Sequence, residues 1–227
     1  MRKTSKEFKA KIKDLDLKKA YTVQEALELA KQLSYEKFDA SIEVHIRTGV
    51  DPRKGDQQVR GAVVLPHGTG KTKRIAVFAD GDKAAEATAA GADLVGGQDL
   101  ITSIIQTGKI EFDVAIATPD MMRLLAPAAR VLGPRGLMPS PKNETVTQNI
   151  KGAIDQIKKG KENYKNDDTA NVHQIIGRRS FDVAKLAENY AALLDSVKKA
   201  RPASAKGSYI KAISVSSTMG PGISIIV

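Results

Sequence analysis

From residue 73 to residue 159 the hydrophobic pattern follows one rule, and on either side of that stretch it follows another. Inside, apolar runs such as KRIAVFA, ADLVG and FDVAIAT alternate with helix-like segments: DKAAEATAAG, QDLITSIIQTG, PDMMRLLAPAARVLG and a last one over roughly 145–159. Strands apolar at every position are buried on both faces, so this order reads as a parallel sheet covered by helices on both sides. Outside, SIEVHIR alternates strictly, with Ile42, Val44 and Ile46 on one face of a half-buried strand. VRGAVVL, VHQIIGR, SYIKAISVSS and ISIIV read as further strands. Thr22 and Glu25 form a capping box ahead of the helical spacing Leu27, Ala30, Leu33. Ser180 reads as the cap of a long amphipathic helix carrying Val183, Leu186, Tyr190, Leu193, Leu194 and Val197. The outer segments share one style. The expectation is one discontinuous domain, 1–67 plus 160–227, with an α/β domain, 68–159, inserted in its middle.

Charge follows the same division. The chain carries 36 Lys and Arg against 26 Asp and Glu, a net +10, of which the two outer segments hold +8. Such an excess points to a polyanionic partner, because neutralised phosphates release counterions. Only 4% of residues are aromatic and none is Trp. That argues against single-strand binding by base stacking and for reading of backbone and shape. No run approaches about 18 apolar residues, as a membrane span needs. The basic start, MRKTSKEFKAKIKDLDLKKA, has no apolar core of a secretory signal. The absence of cysteine removes disulfides and thiolate metal sites and makes a reducing cytoplasm the expected compartment.

LPHGTGKT, residues 65–72, ends like a nucleotide-binding P-loop. The motif needs a glycine five residues before Gly70, where this chain has Leu65, and a helix start after it to hold the anion. KRIAVFAD follows instead, a strand pattern, so the stretch reads as a glycine-rich connector. A dinucleotide fingerprint is missing as well: ADGDKAAEA, after the first strand of the insert, has one glycine. His45, His67 and His173 have no zinc-ligand spacing, and no nucleophile elbow occurs. The residues therefore give no support for an enzyme, a metal or a cofactor.

Three stretches leave alternatives open. VLGPRGLMPSPK is either a rigid loop presenting Arg135 and Lys142 to phosphate or an ordered crossover loop. SSTMGPG is either a plain β-turn or a site where Gly220 and Gly222 permit positive φ and close approach, Thr218 offers a hydroxyl to ribose, and Met219 supplies a flexible apolar surface. Lys37 and Phe38 are either a solvated cation beside a core ring or a cation and a ring on a binding face.

GVDPRKGDQQVRGAVVLPHGTGK, GADLVGG, ATPDMM, LGPRGLMPSPK and STMGPG, in this order, resemble the L-one family of bacterial large-subunit ribosomal proteins over essentially the whole chain. The resemblance implies an α+β sandwich domain built on an antiparallel sheet from both chain ends, with an inserted Rossmann-like three-layer α/β/α domain. It implies a non-enzymatic constituent of the cytoplasmic ribosome, monomeric off it, that binds large-subunit ribosomal RNA (rRNA) through the first domain. It further implies a mobile stalk near the exit site, assistance to the release of deacylated tRNA, and repression of the operon's own mRNA. A freestanding RNA-binding regulator is the alternative.

The family's RNA contacts fall on Lys37, Phe38, Ser41, Thr218, Met219 and Gly220, with Ser216, His173, Arg178 and Arg179 beside them. Ser41 stands where relatives often have Thr, which keeps the hydroxyl. Pivots are expected at Pro66, His67, Gly68 and Thr69 and at Lys159 and Gly160.

Overall fold

The computed structural model describes residues 6–12, 16 and 19–226. The chain divides into two compact units: one runs to Gly70 and resumes at Glu162, and the other is Lys71–Lys161.

The outer unit is built on a four-stranded antiparallel sheet of order β7-β1-β8-β9, with β1 Ser41–Thr48, β7 Asn171–Arg178, β8 Ile210–Ser217 and β9 Ile223–Ile225. Register places Ile46 opposite Val172 and Ile213, and Val44 opposite Val215. These residues line one face and share a buried core with helix α2, Val23–Leu33, and helix α8, Val183–Lys199. Thr22 caps α2 through the full reciprocal box with Glu25. A two-stranded sheet, β2 Arg60–Val64 with β6 Lys161–Lys165, packs its Val63 and Tyr164 into the same core. The remaining N-terminal helix is α1, Lys6–Ile12.

The inserted unit has a parallel sheet of order β4-β3-β5, formed by β3 Ile75–Phe78, β4 Leu94–Gly96 and β5 Val114–Ala117. All four residues of β3 are buried because successive side chains enter two different cores. Ile75 and Val77 pack toward helices α3, Asp82–Ala89, and α7, Ile150–Lys158. Ala76 and Phe78 pack on the opposite side with Ile101 and Ile104 of α4, Gln98–Thr107, and with Leu125 and Leu132. This is the three-layer α/β/α arrangement.

Four local expectations need correction. The segment after Pro119 is not one helix: α5 (Met122–Leu125) and α6 (Ala129–Leu132) flank a 3-10 turn at Ala126–Ala128. Pro127 lacks the N–H an α-helix would use there. The last helix of the insert starts at Ile150 rather than near 145, since Val146 makes a parallel bridge to Ala117 and Asn149 caps the helix. Strand β6, KENYK, was not expected; its single large apolar residue carries too little alternation to announce a strand. Ser180 does not cap α8. The cap position is Asp182, and the Ser180 hydroxyl donates to the Asp39 carboxylate at 2.8 Å. Among the described residues no helix is long and apolar enough to cross a membrane.

Candidate nucleic-acid interface

The turn after β8 is locked onto a segment nearly two hundred residues earlier in the chain. Gly220 N–H donates to Ser217 O at 3.1 Å, closing the turn. Neither Gly220 nor Gly222 adopts positive φ. What Gly220 provides is space, because a Cβ there would lie 2.3 Å from Ser217 Oγ. Thr218 N–H donates to Ser41 O at 3.1 Å, and Ser41 N–H returns to Thr218 Oγ1 at 3.0 Å. The Thr218 hydroxyl also donates to Ser41 O, at 3.3 Å. This corrects the expectation that Thr218 holds its hydroxyl out to ribose: its proton and one lone pair are used inside the protein. The Ser41 side chain is buried.

Glu36 organises the same turn. Only 8% exposed, its carboxylate accepts Met219 N–H at 2.8 Å and the Ser217 hydroxyl at 3.3 Å, together with the Ser34 hydroxyl. Burial pushes the carboxyl pKa up, but these hydrogen bonds outweigh it and hold it below the usual range. The Tyr35 hydroxyl donates to Met219 O at 3.2 Å. With the Met219 backbone fixed on both sides, its side chain faces solvent at 52% exposure. Phe38, on the same docked segment, is 54% exposed, so it is no core ring. Lys37 beside it is exposed.

The end of β7 joins this cluster. Arg179 N–H donates to Ala40 O at 2.8 Å, and its guanidinium reaches Glu36 O at 3.4 Å. Arg178 Nη1 donates to Asp39 O at 3.0 Å. Each guanidinium has five N–H donors, so these single bonds orient the group and leave donors for an external acceptor. Lys37, Phe38, Ser41, Arg178, Arg179, Thr218, Met219 and Gly220 thus come together from three remote segments.

Beyond them lies the sheet face that α2 and α8 leave uncovered. His45 and His173 stand opposite each other on β1 and β7, ring centroids 4.9 Å apart, and His45 Nε2 lies 3.0 Å from Ser216 Oγ on β8. His173 and Ser216 therefore form a second group, joined by His45, which sequence reasoning had not assigned to RNA. Among the described residues no group of three His, Asp or Glu could hold a metal ion.

The fixed turn thus holds an exposed thioether, and the segment it docks on holds an exposed ring beside Lys37. Residues 29–221 match the sequence profile of the ribosomal protein L1p/L10e family. The chain belongs to this family. It is similar to the large ribosomal subunit protein uL1 of Mycolicibacterium smegmatis, 57% identical over 99% of this chain and 95% of that protein. The uL1 proteins of Rhodococcus erythropolis and Mycobacteroides abscessus are each 56% identical over 99% of this chain, covering 94% and 95% of their own lengths. Membership of the L1 family makes the chain a ribosomal protein rather than an enzyme.

In this L1-family chain the expected pivots are more firmly held than their glycines suggest. His67 N–H donates to Asn189 Oδ1 at 3.1 Å, and Asn189 Nδ2 donates to Gly68 O at 2.9 Å. The His67 ring meets Glu188 at 2.6 Å, and buried Thr69 donates to Glu162 at 3.4 Å. Pro66 is exposed, but the residues after it are pinned to the outer unit. Lys159 and Gly160 finish α7 through bonds to Asp155 O and Ile157 O, and Lys161 is held by Glu144 at 2.5 Å and Gln156 at 3.0 Å. The divisions accordingly fall at Gly70–Lys71 and Lys161–Glu162, not at 67–68 and 159–160. In the insert's proline-rich loop Arg135 is exposed, while the Lys142 side chain lies outside the described residues.

Proposed function

We propose that this large-subunit ribosomal protein grips rRNA with its outer unit and carries the inserted unit as the movable part of a stalk. The observation behind the reading is the convergence of segments 34–41, 178–180 and 217–220 into one patch, where Phe38 and Met219 stand exposed among Lys37, Arg178 and Arg179. Cations around the patch supply salt-dependent affinity without sequence information. The apolar pair supplies close contact with a folded RNA surface. The outer unit, to Gly70 and from Glu162, holds +7 of the net +10.

The finer role rests on the same patch and on the L-one resemblance. Positioned by rRNA near the exit site, the inserted unit turns at Gly70–Lys71 and Lys161–Glu162 and assists deacylated tRNA to leave. Gly70, exposed with φ of 72°, suits the first of these pivots. The operon's own mRNA, folded like the rRNA site, competes for the same patch and is thereby repressed.

Filter binding of an rRNA stalk fragment, an operon leader fragment and an unrelated RNA across a salt series tests this. The expected result is preferential binding of the first two, mutual competition between them, and loss of that preference on Phe38→Ala. Equal affinity for all three RNAs would overturn the reading.

A further inference from the structure

A chain of four side chains crosses the open face of the outer sheet. Asp167 Oδ2 lies 3.3 Å from His173 Nε2, His173 Nδ1 lies 2.8 Å from His45 Nδ1, and His45 Nε2 lies 3.0 Å from Ser216 Oγ. Asp167 ends the chain as an acceptor. Burial raises its pKa, but the N–H groups of Asn171 and Thr169, the Thr169 hydroxyl and His173 hold it well below the carboxylate range. His173 Nε2 must then carry a hydrogen, and a single hydrogen lies between the two Nδ1 atoms.

One neutral arrangement satisfies these contacts. With one added proton the charge can sit on either ring, His45 Nε2 carrying a hydrogen in both cases, and the Asp167 carboxylate beside His173 favours the charge there. With the pair neutral, His45 Nδ1–H donates to His173 Nδ1, and His45 Nε2 accepts the Ser216 hydroxyl proton. Ser216 then shows only oxygen lone pairs to a ligand. With one added proton, His173 bears N–H at both nitrogens, and its Nδ1–H donates to His45. His45 carries its hydrogen on Nε2 and donates it to Ser216 Oγ, so the Ser216 O–H points outward. The proton balance is simple. A proton from solvent reaches Ser216, the serine proton passes to His45 Nε2, and the hydrogen at His45 Nδ1 passes to His173 Nδ1. The charge comes to rest against Asp167, two strands over from the serine that received the proton.

The surroundings decide which ligand the protonated form fits. On β1, Glu43 and Arg47 share the face with His45, and register sets Glu43 opposite Ser216 and Arg47 opposite Ala212. Beyond β7 the acids are Asp167 and exposed Asp168; on β8 the facing residues, Ala212, Ser214 and Ser216, carry no charge. A Ser216 O–H donor beside a Glu43 carboxylate acceptor complements a ribose 2′-hydroxyl, which accepts once and donates once. In the neutral form both protein groups are acceptors, and one hydroxyl hydrogen cannot satisfy both. Burial, and then His173, hold the pKa of His45 below its ordinary value against the opposing pull of Glu43.

We propose that His45 is a positioning residue that turns the Ser216 hydroxyl from acceptor to donor, so that binding of an RNA ribose at Ser216 and Glu43 takes up a proton. This rests on the RNA-binding reading above. Calorimetric titration of the full chain with the rRNA stalk fragment, in buffers of different ionisation enthalpy between pH 6 and pH 8, counts the protons exchanged. The expected result is uptake of up to one proton per RNA, with affinity rising by at most about tenfold per pH unit lowered. His45→Gln keeps an amide in place but takes no proton, and Ser216→Ala removes a half-buried hydroxyl on the face away from the core. Both should bind the RNA with near-zero uptake and a flattened pH profile. Uptake in His45→Gln equal to that of the unaltered chain, or none in the unaltered chain, would overturn the proposal while RNA binding stood. Failure of the unaltered chain to bind at any of these pH values would overturn the RNA-binding reading and this proposal with it.

Discussion

The carboxylate of Glu36 accepts the backbone N–H of Met219 at 2.8 Å, tying together positions 183 residues apart in the chain. Through this bond a buried acid, together with the Tyr35 hydroxyl on Met219 O, fixes where the exposed Met219 side chain stands. Glu36→Ala leaves the Met219 N–H and the Ser217 hydroxyl without their acceptor. It should cost about 1–3 kcal/mol of folding stability in urea unfolding, and RNA affinity should fall with it.

The same group sets part of the acid response. Its folded pKa is lowered from 4.5, so its contribution to stability is fully present above that value and is lost as pH falls through the lowered one. Stability measured by urea midpoint between pH 6 and pH 3 should therefore fall less steeply in Glu36→Gln than in the unaltered chain. An unchanged slope would show that the carboxylate is not held as its hydrogen bonds imply.

Met219→Ala and Thr218→Ala should separate. Met219 is half exposed and its side chain faces outward, so its truncation should leave the unfolding midpoint within experimental spread while weakening RNA binding by about 1–3 kcal/mol. The Thr218 hydroxyl is bonded to the Ser41 backbone, so Thr218→Ala should cost about 1 kcal/mol of stability as well. Paired unfolding and binding curves at one salt concentration check both.

Asn189 is 0% exposed in the middle of the apolar face of α8. Its amide donates to Gly68 O at 2.9 Å and Ile176 O at 2.7 Å and accepts His67 N–H at 3.1 Å. Asn189→Leu would keep the branched shape but orphan three backbone groups, an expected loss of about 2–4 kcal/mol. Hydrogen exchange at His67 should quicken in the same variant.

Local patterns announced most of the fold. The capping box at Thr22 and Glu25, the strict alternation of Ile42, Val44 and Ile46, and the fully apolar β3 each follow from a period visible within a few residues. Where a partner lies far off in sequence, that signal vanishes. Ser180 has the form of a cap, but Asp39, 141 residues away, takes its hydroxyl. Glu36 and Asn189 look like ordinary surface positions on a segment and a helix until their backbone partners arrive. His45 sits within a clean alternating strand, and only the register with β7 and β8 sets it between His173 and Ser216. Family motifs singled out the Thr218–Met219–Gly220 turn as a candidate, yet which of its atoms stay free was not legible in them.

The central claim is that the outer unit alone holds the RNA, and one dissociation constant tests it most directly. Thr69 and Glu162 lie within hydrogen-bond reach, so a short glycine linker from Gly70 to Glu162 can replace residues 71–161. At fixed salt, this shortened chain should bind the rRNA stalk fragment within about tenfold of the full chain, a difference of about 1.4 kcal/mol. A folded shortened chain that has lost more affinity than Met219→Ala costs the full chain would contradict the account.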